Sequence, residues 1–82
     1  MKLRVRFFAT LKEKAQASEL VLDVENDQLT VQELLAEIIH KIPALTESLK
    51  TMLVAVNNEF AFREQTIYVD DEIALFPPVS GG

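Results

Sequence analysis

At 82 residues the chain is long enough for one small domain, and a hydrophobic share of 49% supplies a modest core and is too high for a disordered chain. The absence of cysteine excludes disulfides, thiolate metal sites and a cysteine nucleophile, so any sulfur chemistry must use sulfur brought from elsewhere. A net charge of −5 argues against nucleic acid as the main partner, because phosphate binding relies on clustered Lys and Arg, and no apolar run reaches membrane-spanning length.

The chain opens on charged residues alternating with apolar ones and shows no apolar signal core, so a cytoplasmic protein is expected. Residues 2–8 read as a half-buried strand, with Leu3, Val5 and Phe7 on one face and Lys2, Arg4, Arg6 and Phe8 on the other. Five of the eight basic residues fall in the first fourteen positions. Lys2, Arg4 and Arg6 read as a solvated face that protects a strand edge, the alternative being a docking site for an acidic partner. Residues 10–17 are good helix formers but too few for an independent helix, which predicts a short helical excursion. A second strand is predicted over 19–25, on Leu20, Leu22 and Val24. The link between the two strands is too short for a long crossover, so they should pair antiparallel.

Thr30-Val31-Gln32-Glu33 has the spacing of a capping box. Val31, Leu34, Leu35, Ile38, Ile39 and Ile42 then recur at helical spacing, and Pro43 ends the amphipathic helix they define. His40, the one histidine, sits near its end, where a partly exposed cation is favourable. A short turn through 45–49 leads to Met52–Val56, apolar enough for the interior of a sheet. Asn57-Asn58 suits a turn before a short strand over 60–62. Asp70-Asp71-Glu72 reads as a turn before the last strand, Ile73–Phe76; three adjacent acids lack the spaced ligands of a calcium loop, and no metal site is expected. This order outlines an α+β fold, a β-grasp: a mixed sheet crossed by one main helix, with the last strand parallel to the first. The domain should span 1–76 and a flexible tail 77–82.

That tail holds the only glycines of the chain, Gly81 and Gly82. Residues without Cβ atoms make a thread thin enough for a narrow active site. Pro77 and Pro78 favour an extended backbone, so the tail should project, reaching about 20 Å by Gly82. Val79 and Ser80 complete it, and Ser80 has no His or Lys arranged to activate it. The terminal carboxylate of Gly82 is the candidate reactive group. Beside the tail, Phe8 and Phe76 should form an apolar patch on the outer face, extended by Phe60, and such a patch marks a protein contact.

Three sets of residues carry a resemblance: Val5-Arg6-Phe7-Phe8-Ala9, Val54-Ala55-Val56-Asn57, and the run Asp71-Glu72-Ile73-Ala74-Leu75-Phe76-Pro77-Pro78-Val79-Ser80-Gly81-Gly82. The chain resembles the small, sulfur-carrying subunits of molybdopterin synthase, a ubiquitin-like family. One departure is Asp70, at a turn position that relatives commonly give to glycine; Asp visits the left-handed region at modest cost.

The resemblance implies that a ubiquitin-activating-like adenylyltransferase uses ATP to convert the Gly82 carboxylate to an acyl-adenylate. Sulfur from a donor such as a cysteine desulfurase then yields a thiocarboxylate. This passes its sulfur to cyclic pyranopterin monophosphate in the large subunit, within a heterotetramer. On that footing the chain binds no cofactor, is no enzyme alone, and leaves the catalytic side chains to its partner. A ubiquitin-like modifier joined to lysines, a thiamine-type sulfur carrier using the same Gly-Gly end, and a purely structural β-grasp module are the alternatives.

Overall fold

The structure, a computed structural model, describes residues 1–78. Val79, Ser80, Gly81 and Gly82 lie outside the described residues. The opening alternation becomes strand β1 (Lys2–Phe7), which buries Leu3, Val5 and Phe7 and exposes Lys2, Arg4 and Arg6. A single turn-and-a-half of helix, α1 (Thr10–Ala15), plugs Leu11 into the core and returns the chain into β2 (Glu19–Asp23), antiparallel to β1.

Helix α2 (Val31–Lys41) begins at a complete capping box: Thr30 Oγ1 accepts from the Glu33 amide at 3.1 Å, and Glu33 Oε1 accepts from the Thr30 amide at 2.8 Å. It ends before Pro43, whose missing N–H and fixed φ cannot continue it. Two 3₁₀ turns, Pro43–Leu45 and Ser48–Lys50, then lead to β4 (Leu53–Val56).

The helix start needs a support that the sequence reading did not foresee. Residues Gln28–Thr30 form β3 and Thr66–Tyr68 form β6, an antiparallel pair that makes a separate two-stranded sheet. The segment leading into β6 supplies acceptors for the first turn of α2: the Val31 amide donates to Gln65 O and the Gln32 amide to Arg63 O, both at 2.9 Å. Amides that a helix start ordinarily leaves without partners are thereby satisfied. Arg63 Nη2 in turn donates to Met52 O at 3.0 Å and Leu49 O at 3.3 Å, holding the same segment against the chain that enters β4.

Strand β5 (Glu59–Phe60) pairs antiparallel with β4, and β7 (Glu72–Phe76) lies between β4 and β1, antiparallel to the first and parallel to the second. The main sheet thus runs β2-β1-β7-β4-β5. Val31, Leu34, Leu35 and Ile38 of α2 pack onto Leu3, Val5, Phe7, Val54, Ile73 and Leu75 of its inner face. The result is the β-grasp outlined by the sequence. The short strand expected over 60–62 ends at Phe60, leaving Phe62 exposed. Among the described residues no helix is long and apolar enough to cross a membrane.

Candidate functional site

One face of the main sheet carries the helix, and the other is uncovered. Strand pairing dictates what stands on it. Arg6 lies opposite Ala74, Ala74 opposite Ala55, and Ala55 opposite Phe60, so one row crosses four strands. The two alanines form a floor too short to fill the space between Arg6 and Phe60. Beyond β1 the ladder continues, Phe8 donating its amide to Leu75 O at 3.1 Å. That bond sets Phe8 beside Phe76, and the rings stack with centroids 4.7 Å apart and planes 12° from parallel. Such an offset pair contributes roughly 0.5–1.5 kcal/mol beyond the area it buries.

The stacked pair, Phe60 and Arg6 wall a shallow pit of about 220 Å³ over Ala55 and Ala74, with Asn58 and Glu72 on its remaining rim. That is below the usual size of a cofactor pocket, roughly 300–1,000 Å³, and suits a side chain from another protein. Phe60 is 74% exposed and Phe8 38% exposed, while Phe76 is half-buried by its neighbour. Folding leaves this apolar area in water, and its burial is available to a partner.

The far end of the pit is held rigid by polar groups. Asn57 and Asn58, both at positive φ, make the two-residue turn between β4 and β5. Asn57 Nδ2 donates to Asp71 Oδ1 at 2.9 Å, Asn57 Oδ1 accepts from the Glu72 amide at 2.9 Å, and Asp71 Oδ2 accepts from the Tyr68 amide at 2.8 Å. Asp71 is thus spent on clasping two turns together. Asp70 stands at φ 72°, the left-handed conformation expected of it from the sequence. Among the described residues no group of His, Cys, Asp and Glu is arranged to hold a metal ion, and His40 is exposed in the last turn of α2.

Of the candidate residues named from sequence, Phe8, Phe60 and Phe76 come together here. Pro77, half-buried, and Pro78, exposed, leave β7 directly beside Phe76. Val79, Ser80, Gly81 and Gly82 fall outside the described residues. The sequence reading did not single out Ala55 and Ala74. Their smallness gains meaning only from register, which sets one opposite the other. Arg6 is exposed, as expected for the solvated stripe of β1, and it also lines the pit.

This geometry has known counterparts. Residues 5–82 match the ThiS family. The molybdopterin synthase sulfur carrier subunit of Dictyostelium discoideum is 36% identical over 81 residues, which cover 96% of this chain and 94% of that protein. Among solved structures, SAMP1, the small archaeal modifier protein 1 of Haloferax volcanii, is similar with a TM-score of 0.88 and 31% identity over the whole of both chains. A chain in the complex of subunits 1 and 2 of the molybdopterin-converting factor of Helicobacter pylori is similar with a TM-score of 0.69 and 26% identity, again over both whole chains.

Proposed function

The chain belongs to the ThiS family, and from that premise we propose that it is the sulfur-carrying small subunit of a molybdopterin synthase. The observation that carries this reading is the junction at Phe76: the final strand of a domain similar throughout to such carriers runs from an exposed aromatic patch into Pro77-Pro78-Val79-Ser80-Gly81-Gly82. The patch is the handle by which partners hold the domain. The tail is what they act on.

A carboxylate is a poor acyl donor, and the Gly82 carboxylate is activated by attack on the α-phosphorus of ATP in an activating enzyme, with pyrophosphate leaving. A persulfide sulfur then attacks the acyl carbon and expels AMP. A second thiol attacks the donor cysteine's own sulfur in the resulting acyl disulfide, forming a disulfide with it and leaving the persulfide's outer sulfur on Gly82 as the thiocarboxylate. The tail then enters the large subunit and gives up its sulfur to the pterin substrate; the complex of subunits 1 and 2 in Helicobacter pylori supports the pairing of two such subunits. Pro77 and Pro78 favour an extended backbone where the chain leaves β7, and the small residues that follow in sequence suit a narrow channel. Acid and base catalysts belong to the large subunit.

The test is an intact mass of the protein isolated from cells that hold its activating enzyme. One oxygen of the terminal residue should be replaced by sulfur. One alanine appended after Gly82 should abolish that species and leave the fold unchanged; an extended, untrimmed protein that still supports molybdopterin formation would overturn the reading. The likeness to SAMP1 favours a second use of the same acyl-adenylate, transfer of Gly82 to lysines of other proteins. It predicts target conjugates that disappear when Gly82 is deleted.

A further inference from the structure

The strand β1 carries three cations on the outer face, and their surroundings differ. Lys2 stands opposite Asp23 in register. Arg4 lies between Val21 and Glu72 in register, and its Nε reaches the Glu19 carboxylate at 3.3 Å. Glu19 is the cross-strand neighbour of Arg6, yet its carboxylate goes diagonally to Arg4. On its other side Arg6 has Ala74, which offers nothing polar. Among the described residues the ion pairs are Arg4–Glu19 and Lys50–Glu47, and Arg6 belongs to neither.

Arg6 therefore borders the pit, exposed and in no ion pair among the described residues. A protein that fills the pit takes its guanidinium out of solvent. An uncompensated buried charge opposes association strongly, whereas a carboxylate meeting a guanidinium makes paired, charge-assisted hydrogen bonds. The planar fork of Arg suits this task better than the point charge of Lys.

We infer that Arg6 selects the docking protein: the synthase large subunit presents a carboxylate to Arg6 beside the apolar side chain that fills the pit. This rests on the docking reading above and adds to it a charge requirement that the aromatic patch alone does not make. An apolar knob with a basic or neutral neighbour at that point is rejected.

The experiment measures the affinity of the full-length chain for the large subunit of its own organism by titration calorimetry. Arg6→Glu is expected to weaken binding by about tenfold or more, and Arg6→Lys by less. Arg4→Glu, which removes an exposed pair turned away from the pit, serves as the charge control and should change affinity far less. A single acid-to-lysine substitution on the large subunit should restore binding to Arg6→Glu. Arg6 is exposed, so all three variants should keep the native melting temperature within a few degrees. Unchanged affinity for Arg6→Glu together with weakened affinity for Phe60→Asp would overturn the role of Arg6 and leave the docking face standing. Equal losses for Arg4→Glu and Arg6→Glu would also overturn it, showing general charge attraction. Unchanged affinity for both Arg6→Glu and Phe60→Asp would remove the docking face itself.

Discussion

The described part of the chain makes its tight turns without glycine, and the consequences are local and measurable. Gln16, Asn57, Asn58 and Asp70 take φ between 53° and 72°, and three of the four are Asn or Asp, whose short polar side chains tolerate that region. Ala9 is different: at φ 52° and ψ −131° it occupies a region open without penalty only to glycine. The turn is held by the Leu11 amide on Phe8 O and the Lys12 amide on Ala9 O, both at 3.1 Å, and it delivers Phe8 to its stack with Phe76. Ala9→Gly relieves the strain at some cost in unfolded-chain entropy, and a net gain of about 1 kcal/mol is expected. Thermal unfolding should show it as a rise of about 4–8 °C. Asp71→Ala acts in the opposite sense. It removes the acceptor for both Asn57 and the Tyr68 amide, and denaturant unfolding should register a loss of about 1–2 kcal/mol.

Among the elements, α2 was legible because each of its signals is local: a capping box four residues long, a stripe at helical spacing and a terminating proline. Thr30→Ala should cost about 1 kcal/mol through the cap, and Ile38→Ala, at a fully buried position, about 2–5 kcal/mol. In so small a domain the second loss approaches the whole margin of stability, and circular dichroism should find Ile38→Ala largely unfolded on mild heating. Strands β3 and β6 were not legible, since three residues each give too little alternation to register. Their pairing holds the segment carrying the Arg63 and Gln65 carbonyls beside the start of α2, a juxtaposition that is tertiary. The pit is likewise a product of pairing. Ala74→Leu adds a branched side chain to its floor, and calorimetry should show weakened binding of the large subunit with little change in melting temperature.

For the whole molecule, the proposed function asks one uncovered sheet face to serve an activating enzyme and the synthase in turn. The two complexes should exclude each other, so that adding large subunit displaces the activating enzyme in a competition experiment on immobilised protein; a stable ternary assembly would refute a shared face. The order of the main-sheet strands and the helix between them, the aromatic residues at 8, 60 and 76 and the Gly81-Gly82 end were written in the chain, because periodicity, caps and terminal chemistry are properties of neighbours in sequence. Which residues meet was decided by folding alone. Parallel pairing of β1 with β7 joins positions 4–7 to 72–75 and sets Ala74 against Arg6 and Phe76 against Phe8, while antiparallel pairing of β4 with β7 brings Asp71 within reach of Asn57. Composition and local pattern select the fold by burying apolar area, whereas a site is a matter of distance between residues far apart in the chain, which only the closed sheet defines.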